Sequence, residues 1–209
     1  MSYPIIQPPF TLVFREMSKK ELKGYYEWFH KVMPERIQIL TTAIRSTPGY
    51  KNWAPDRTPE SLDLLGEWFF TQVETRPRTI EEIDSIQNQS KFPINISEED
   101  LTNETFSLAV DIGMYVSEVF LSNHLRLEWS QPFGNKKSVD YGQPVLINFG
   151  ASPFNPVHMM VTLAYGFSRK SKTGGRLREL YNIWSNLTSA AVAAYSPSQL
   201  PENPPSGPR

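Results

Sequence analysis

The chain has 209 residues, of which 39% are hydrophobic and 21% are charged, and it contains no cysteine. This composition is enough for one ordinary domain, and it excludes a fully disordered chain and a disulfide-stapled miniprotein. The absence of cysteine also excludes thiolate metal sites, iron–sulfur clusters and cysteine nucleophiles.

The formal net charge of −1 hides three blocks of alternating sign. Residues 1–55 carry a charge of +4, residues 56–123 carry −10 and residues 124–209 carry +5. The acidic middle block can meet the two basic flanks inside the fold, or it can form an acidic surface for a basic partner. The plainest alternative is that folding mixes these charges over a neutral surface.

Capping and proline signals predict helices along the first hundred residues. Ser18-Lys-Lys-Glu21 is a capping box, in which the Ser18 hydroxyl accepts a hydrogen bond from the third helical amide. We expect a helix from this box to about residue 31 and a second helix that begins at Pro34, because proline is tolerated in a first turn. Further helix starts are expected at Thr58, Thr79 and Ser97.

A central helix is predicted at residues 106–121, which are apolar on nearly every side. Gly113 within it indicates that another element approaches closely. The stretch contains Asp111 and Glu118 and is too short to span a bilayer, so we expect no membrane segment.

The hydrophobic period then changes from that of a helix to that of a strand. Leu125, Leu127 and Trp129 alternate with polar residues, and residues 137–141 and 145–149 read as two further strands. The predicted fold class is therefore α+β, a predominantly helical single domain with a small three-stranded antiparallel meander packed on the central helix. A short helix should follow from Asn155, with Gly166 as its stop.

The last predicted helix runs from residue 176 to residue 195 and carries a heptad stripe. The stripe can dock on the core or pair with a second copy to form a homodimer. Residues 1–195 are expected to form one globular domain, and residues 196–209, which include five prolines, a disordered tail. The stripe consists of Leu177, Leu180, Trp184, Leu187, Ala191 and Ala194.

Two carboxylates on the central helix are the first candidate site. Asp111, Tyr115 and Glu118 are spaced to share one helical face, and Trp129 follows on the first predicted strand. Carboxylates on an apolar helix must be paired, neutralised or turned toward a cavity. They can therefore form an acid–base pair in a small-molecule pocket, or they can be structural, with Glu118 paired to an arginine such as Arg126.

A basic loop before the last helix is the second candidate site. Its five cations, two glycines and helix N-terminus favour phosphate or carboxylate binding, although the spacing is not that of a Walker loop. A solvated loop without a ligand is the alternative. The cations are Arg169, Lys170, Lys172, Arg176 and Arg178.

No motif predicts catalytic residues, a metal or a cofactor. His30, His124 and His158 are far apart in sequence and do not have the spacing of metal ligands. The chain also lacks the nucleophile and dinucleotide-binding signatures of common enzyme classes.

Part of the chain resembles uncharacterised bacterial proteins in which a helix carrying YxxE leads into a tryptophan-bearing hairpin and a GQPVL strand. The matching residues are Gly113-Met-Tyr-Val-Ser-Glu118, Leu127-Glu-Trp129, Val139-Asp-Tyr-Gly-Gln-Pro-Val145 and Phe154-Asn-Pro156. Ser117 stands where the pattern has glycine. The resemblance implies a helix-plus-meander fold and a bacterial origin, and it brings no activity or catalytic residue.

The function expected first is that of a non-enzymatic, cytoplasmic protein-binding module, for example an immunity or toxin-neutralising protein. The partner would meet the acidic region 56–123, with exposed aromatics such as Trp53 and Trp68. Cytoplasmic localisation is expected because the N-terminus does not resemble a signal peptide. The alternatives are a small-molecule binder or enzyme at the carboxylate site, and anion or, less favoured, nucleic-acid binding through the loop at 169–178.

Overall fold

The computed structural model describes residues 2–194, and these contain six helices and two antiparallel sheets of two strands each. The protein is thus α+β and dominated by helices, as the sequence predicts. The predicted disordered tail lies outside the described residues. In chain order the elements are α1 (Lys19–Ser46), α2 (Ser61–Gln72), β1 (Thr75–Pro77), α3 (Ile80–Gln89), β2 (Glu99–Leu101), α4 (Asn103–Asn123), β3 (Glu128–Ser130), β4 (Val145–Ile147), α5 (Pro156–Ser168) and α6 (Arg176–Ala194).

Helix α1 begins at the predicted capping box but does not end before Pro34. The Ser18 hydroxyl accepts from the Glu21 amide, and the Glu21 carboxylate reaches back to the cap. The helix continues through Pro34, so the predicted break is wrong. Pro34 lies on the exposed face, while Phe29 and Met33 before it and Leu40 after it are buried in one stripe. Burial of this stripe outweighs the cost of a proline within a helix, which is about 3 kcal/mol.

Helix α4 is the central element and packs against α1 and α5. A Cβ atom on Gly113 would lie 3.0 Å from the carbonyl oxygen of Pro156, which confirms the predicted close approach. By length and composition alone α4 could cross a membrane, but 72% of its apolar window is buried inside the protein. That degree of burial is typical of the core helix of a soluble protein.

The predicted three-stranded meander is wrong. Strand β3 pairs directly with β4, with Trp129 opposite Leu146, so no position is left between them for a middle strand. Residues 137–141 form turns instead, in which the Asn135 side chain accepts from the Lys137 amide. These local hydrogen bonds satisfy backbone groups that a strand would have paired.

A second strand pair replaces the helix start predicted at Ser97. Strand β1 pairs antiparallel with β2, with Arg76 opposite Asp100. The helix that follows is capped by Thr102, whose side chain accepts from the Thr105 amide. The segment between β1 and β2 therefore leaves the core and returns to it.

Helices α5 and α6 complete the core around α4. Asn155 caps α5 as predicted, but the helix passes Gly166 and ends at Ser168. In α6 the first half of the heptad stripe docks on the core: Leu177 is buried and Trp184 packs against Phe149 and Phe154. The side chains of Ala191 and Ala194 lie outside the described residues.

Candidate functional site

Asp111 lies in a closed ion pair between α1 and α4. Arg36 donates from Nε to Oδ1 and from Nη2 to Oδ2 of Asp111, both at 2.8 Å, and the Tyr3 hydroxyl donates to the same carboxylate. Arg36 also donates to the carbonyl oxygen of Pro4 at 2.8 Å. Burial raises the pKa of Asp111 to about 6, while the hydrogen bonds from Arg36 and Tyr3 oppose this rise. Asp111 therefore anchors the N-terminal segment.

Tyr115 and Glu118 face a different neighbour, Arg57. The Tyr115 hydroxyl accepts from the Arg57 amide at 3.2 Å and shares a hydrogen bond of 2.6 Å with the Ser61 hydroxyl. Glu118 pairs through Oε2 with Nε of Arg57 at 2.7 Å, and Asn123 donates to the Arg57 carbonyl oxygen at 2.8 Å. Arg57 has a φ of 62°. These contacts hold Arg57 in a left-handed conformation that a side chain of its size rarely adopts.

The four residues of the first candidate site contact different elements of the described structure. Trp129 packs edge-on against Phe29, at 5.7 Å between ring centroids, and against His30, at 5.0 Å. The cation paired with Glu118 is Arg57 rather than the expected Arg126. Asp111, Tyr115 and Glu118 share one face of α4 because of their spacing. Different elements cover different parts of that face, so the three side chains have different partners.

The basic loop folds back over the end of α5. The amides of Arg169, Lys170 and Ser171 donate to carbonyl groups in the last turns of α5 at 2.9–3.3 Å, and Lys170 has a φ of 53°. The Lys172 stem lies over Gly166, where a Cβ atom would come within 2.9 Å of its Cγ. The loop is thus fixed to the helix at several points.

This loop forms one wall of an open cleft of about 560 Å³. Arg169, Lys172 and Arg176 line it from the loop and the start of α6, and Arg78 lines it from the connection between β1 and α3. Lys170 is not among the lining residues. The other lining residues are Met159, Thr162, Leu163, Tyr165, Gly166, Ser171 and Leu180.

Arg178, the last cation of the predicted loop site, is used elsewhere. Its Nη2 donates to Oε1 of Glu60 at 2.9 Å, and its Nη1 lies 3.8 Å from Oδ2 of Asp63. Arg178 therefore holds α6 to the start of α2. Of the five cations predicted for the loop site, only Arg169, Lys172 and Arg176 line the cleft.

The positive charge of the cleft is only partly neutralised. Arg78 pairs with Asp100 at 2.8 Å, and Arg176 pairs with Glu179 at 2.8 Å. Arg169 lies 5.8 Å from the centre of the Tyr165 ring. Within the described part of the chain, neither Arg169 nor Lys172 has an acidic partner. The cleft therefore carries an excess of positive charge.

Sequence reasoning missed Arg78 because no local pattern connects it to the loop. Some ninety residues separate Arg78 from Arg169, and only the pairing of β1 with β2 brings the former to the cleft. Asp100 fixes its position and also accepts a hydrogen bond of 2.6 Å from the Tyr165 hydroxyl.

A second feature is the excursion between β1 and β2, residues 78–98, which we call the acidic arm. Its helix α3 begins with a complete capping box, formed by Thr79 and Glu82, yet it buries no residue against the described part of the chain. Ile80 and Phe92 are each 75% exposed and Ile94 is 47% exposed. Large apolar side chains thus remain in solvent on a well-formed helix and the segment after it.

The acidic block divides into neutralised and unneutralised carboxylates. Asp111 pairs with Arg36, and Glu60 with Arg178, so part of the acidic block does meet the basic flanks. In the arm, by contrast, Asp84 and Glu98 are exposed and have no cationic partner in the described part of the chain.

The two tryptophans expected at the surface are buried. Trp53 is 2% exposed and donates from its indole nitrogen to the Ser61 carbonyl oxygen at 2.9 Å. Trp68 is 1% exposed and donates to the Thr47 hydroxyl at 2.9 Å. Each indole has found a polar partner inside the fold, so neither is available to a binding partner.

The histidines are held in separate places. His30 donates from Nδ1 to the Tyr26 carbonyl oxygen at 2.8 Å, and His124 contacts the hydroxyls of Ser185 and Thr188. Within the described residues, no three histidine or acidic side chains are placed to share a metal ion.

A comparison with protein-family models gives no match, and comparisons with curated proteins and with solved structures give none either. The fold and the sites define a helix-rich α+β protein with a basic cleft and an acidic arm.

Proposed function

We propose that this protein is a non-enzymatic binding protein that recognises another protein through the acidic arm. The observation that carries the proposal is that α3 is fully capped but has no fully buried residue in the described structure, while Ile80 is 75% exposed. An isolated helix of ten residues is marginally stable in water, so a packing partner would stabilise it. Exposed apolar groups bordered by charge are typical of interaction sites.

The chemistry of the arm favours a basic partner with an apolar patch. Ile80, Phe92 and Ile94 offer apolar area, and Asp84 and Glu98 of the same arm have no cationic partner within the described residues. Complementary charge accelerates encounter and selects among partners, while buried apolar anchors supply most of the affinity. Neutralisation of a basic toxin in a bacterial cytoplasm is the version of this function that we favour.

Site-specific photocrosslinking in cells of the source organism tests the surface. A photoreactive phenylalanine analogue replaces Phe92 in one variant and Leu125, which is 97% exposed outside the arm, in the control. We expect a discrete heavier adduct from position 92 that position 125 does not give. Identical adducts from both positions, or none from position 92, would exclude the arm as the docking surface.

Matched charge reversals then test the role of the carboxylates. Asp84→Lys with Glu98→Lys should lower the yield of the adduct from position 92 at least tenfold, because like charges would oppose a basic partner. The control reverses Glu27 and Glu35, which are equally exposed on α1. An equal loss in both double variants would show an effect of net charge rather than of the arm.

A further inference from the structure

We propose that the basic cleft is a binding site for a small organic oxyanion, a molecule with a phosphate or carboxylate head and an apolar body. Arg169, Lys172 and Arg78 would hold the head. The body would lie against the apolar lining of the cleft. This inference is independent of protein recognition by the acidic arm, since it rests on different residues.

Charge is the first argument for this ligand. Four cations converge on one concave space, three of them from residues 169–176 and the fourth, Arg78, from a distant part of the chain. Only Arg78 and Arg176 have acidic partners in the described residues. Like charges placed together repel one another, and a concave surface with apolar walls strengthens their field. An anion in the cleft would relieve this repulsion, and arginine side chains match the two oxygens of a carboxylate or phosphate.

The second argument is an unsatisfied donor. Nε of Arg78 is buried and has no hydrogen-bond partner within the described part of the chain, although Nη1 is paired with Asp100 at 2.8 Å. A buried donor without a partner costs about 1–3 kcal/mol. Because Nε is closed off from solvent, an oxyanion in the cleft would supply the missing acceptor only after a small shift of the Arg78 side chain.

The size and lining of the cleft indicate a small molecule rather than a polymer. Its volume of about 560 Å³ lies in the usual range for ligand pockets. Met159, Leu163 and Leu180 supply an apolar wall that an inorganic anion alone would not use. Outside the cleft, Arg178 is engaged by Glu60, so the cations do not continue as a track for a nucleic-acid backbone.

Isothermal titration calorimetry with defined probes tests the proposal on the full-length protein. The probes are phenyl phosphate, benzoate, inorganic phosphate and neutral benzyl alcohol. We expect saturable binding of phenyl phosphate or benzoate with a Kd below about 1 mM, weaker binding of inorganic phosphate and none of benzyl alcohol. The tighter of the two aromatic anions identifies the head group.

A matched pair of variants shows whether the cleft is the site. Arg169→Gln with Lys172→Gln should weaken binding of the preferred anion at least tenfold, whereas Lys170→Gln, in the same loop but outside the lining, should change it less than twofold. All three side chains are exposed, so circular dichroism should show unchanged folding.

Three results would overturn the proposal. They are failure of both aromatic anions to bind by about 10 mM, an equal loss of affinity in the Lys170→Gln control, and tighter binding of a single-stranded oligonucleotide than of either aromatic anion. The last result would assign the cations to nucleic acid. None of them bears on the photocrosslinks that test the arm.

Discussion

The α1–α4 interface and the junction of β1 with the acidic arm each contain an arginine–carboxylate pair, and the two pairs differ in their exposure to solvent. Arg36 and Asp111 are 8% and 0% exposed, and their polar atoms also contact Tyr3 and Pro4. Arg76 and Glu82, at the base of the arm, are 37% and 36% exposed. The comparison teaches that an ion pair of this acidic block supports the fold where the fold encloses it, and contributes little to stability where solvent screens it.

The largest expected effect comes from breaking the buried pair. Arg36→Met should lower the free energy of unfolding by about 3–5 kcal/mol at pH 8, because Asp111 would be left as an unpaired buried charge. Arg76→Met, in β1 at the base of the arm, should lower the free energy of unfolding by less than about 1 kcal/mol. Urea unfolding measures both. The double variant Arg36→Met with Asp111→Leu should regain part of the loss, and equal losses in the two single variants would contradict the comparison.

The second prediction concerns the proton on Asp111. Its pKa in the folded protein is raised by burial to about 6, above the ordinary value, so the folded protein binds more protons than the unfolded chain between about pH 4 and 6. The contribution of Asp111 to stability is therefore full below pH 4 and is lost as the pH rises through 6, by up to about 3 kcal/mol. Carbon-13 NMR of the Asp111 carboxyl group should titrate near pH 6; a midpoint below 4 would contradict this.

The third prediction compares a glycine that is packed against the backbone of another element with a glycine that lies in open space. A Cβ atom on Gly66 of α2 would lie 2.3 Å from the carbonyl oxygen of Gly174, whereas a Cβ atom on Gly134 would meet nothing within 4 Å. Gly66→Ala should therefore cost about 2 kcal/mol or more in urea unfolding. Gly134→Ala should leave stability within about 0.5 kcal/mol of the wild type. Equal stability of both variants would show that α2 and the loop before α6 can separate freely.

The smallest expected effect compares the two capping boxes. Ser18→Ala at the start of α1 should lower global stability by about 1 kcal/mol, because α1 is packed into the core. Thr79→Ala should instead unfold α3 locally and leave global stability nearly unchanged, since α3 has no fully buried residue in the described structure. Hydrogen exchange of the α3 amides measures local unfolding, and urea unfolding measures global stability, so together they distinguish the two effects. Faster exchange confined to α3 is the expected result for Thr79→Ala.

Sequence reasoning missed both Arg36 and Arg78, but only Arg36 carries a local signal in the sequence. Arg36 falls on the same helical stripe as Phe29, Met33 and Leu40, so a charge on a buried stripe of α1 signals a partner of opposite charge. Asp111 on α4 is the complementary signal. No local pattern in the sequence predicts a partner for Arg78. It follows a three-residue strand whose pairing depends on residues 99–101.

By itself, the sequence determined the helix-dominated α+β class, the capping boxes at Ser18 and Thr79, the cap at Asn155 and the close approach at Gly113. These features depend on neighbours within one turn or on the absence of a side chain, so local chemistry is sufficient to specify them. Only the tertiary structure decided that α1 continues through Pro34 and that β3 pairs directly with β4. It also decided which cations enter the cleft, since each of these outcomes depends on burial or pairing between residues distant in the chain.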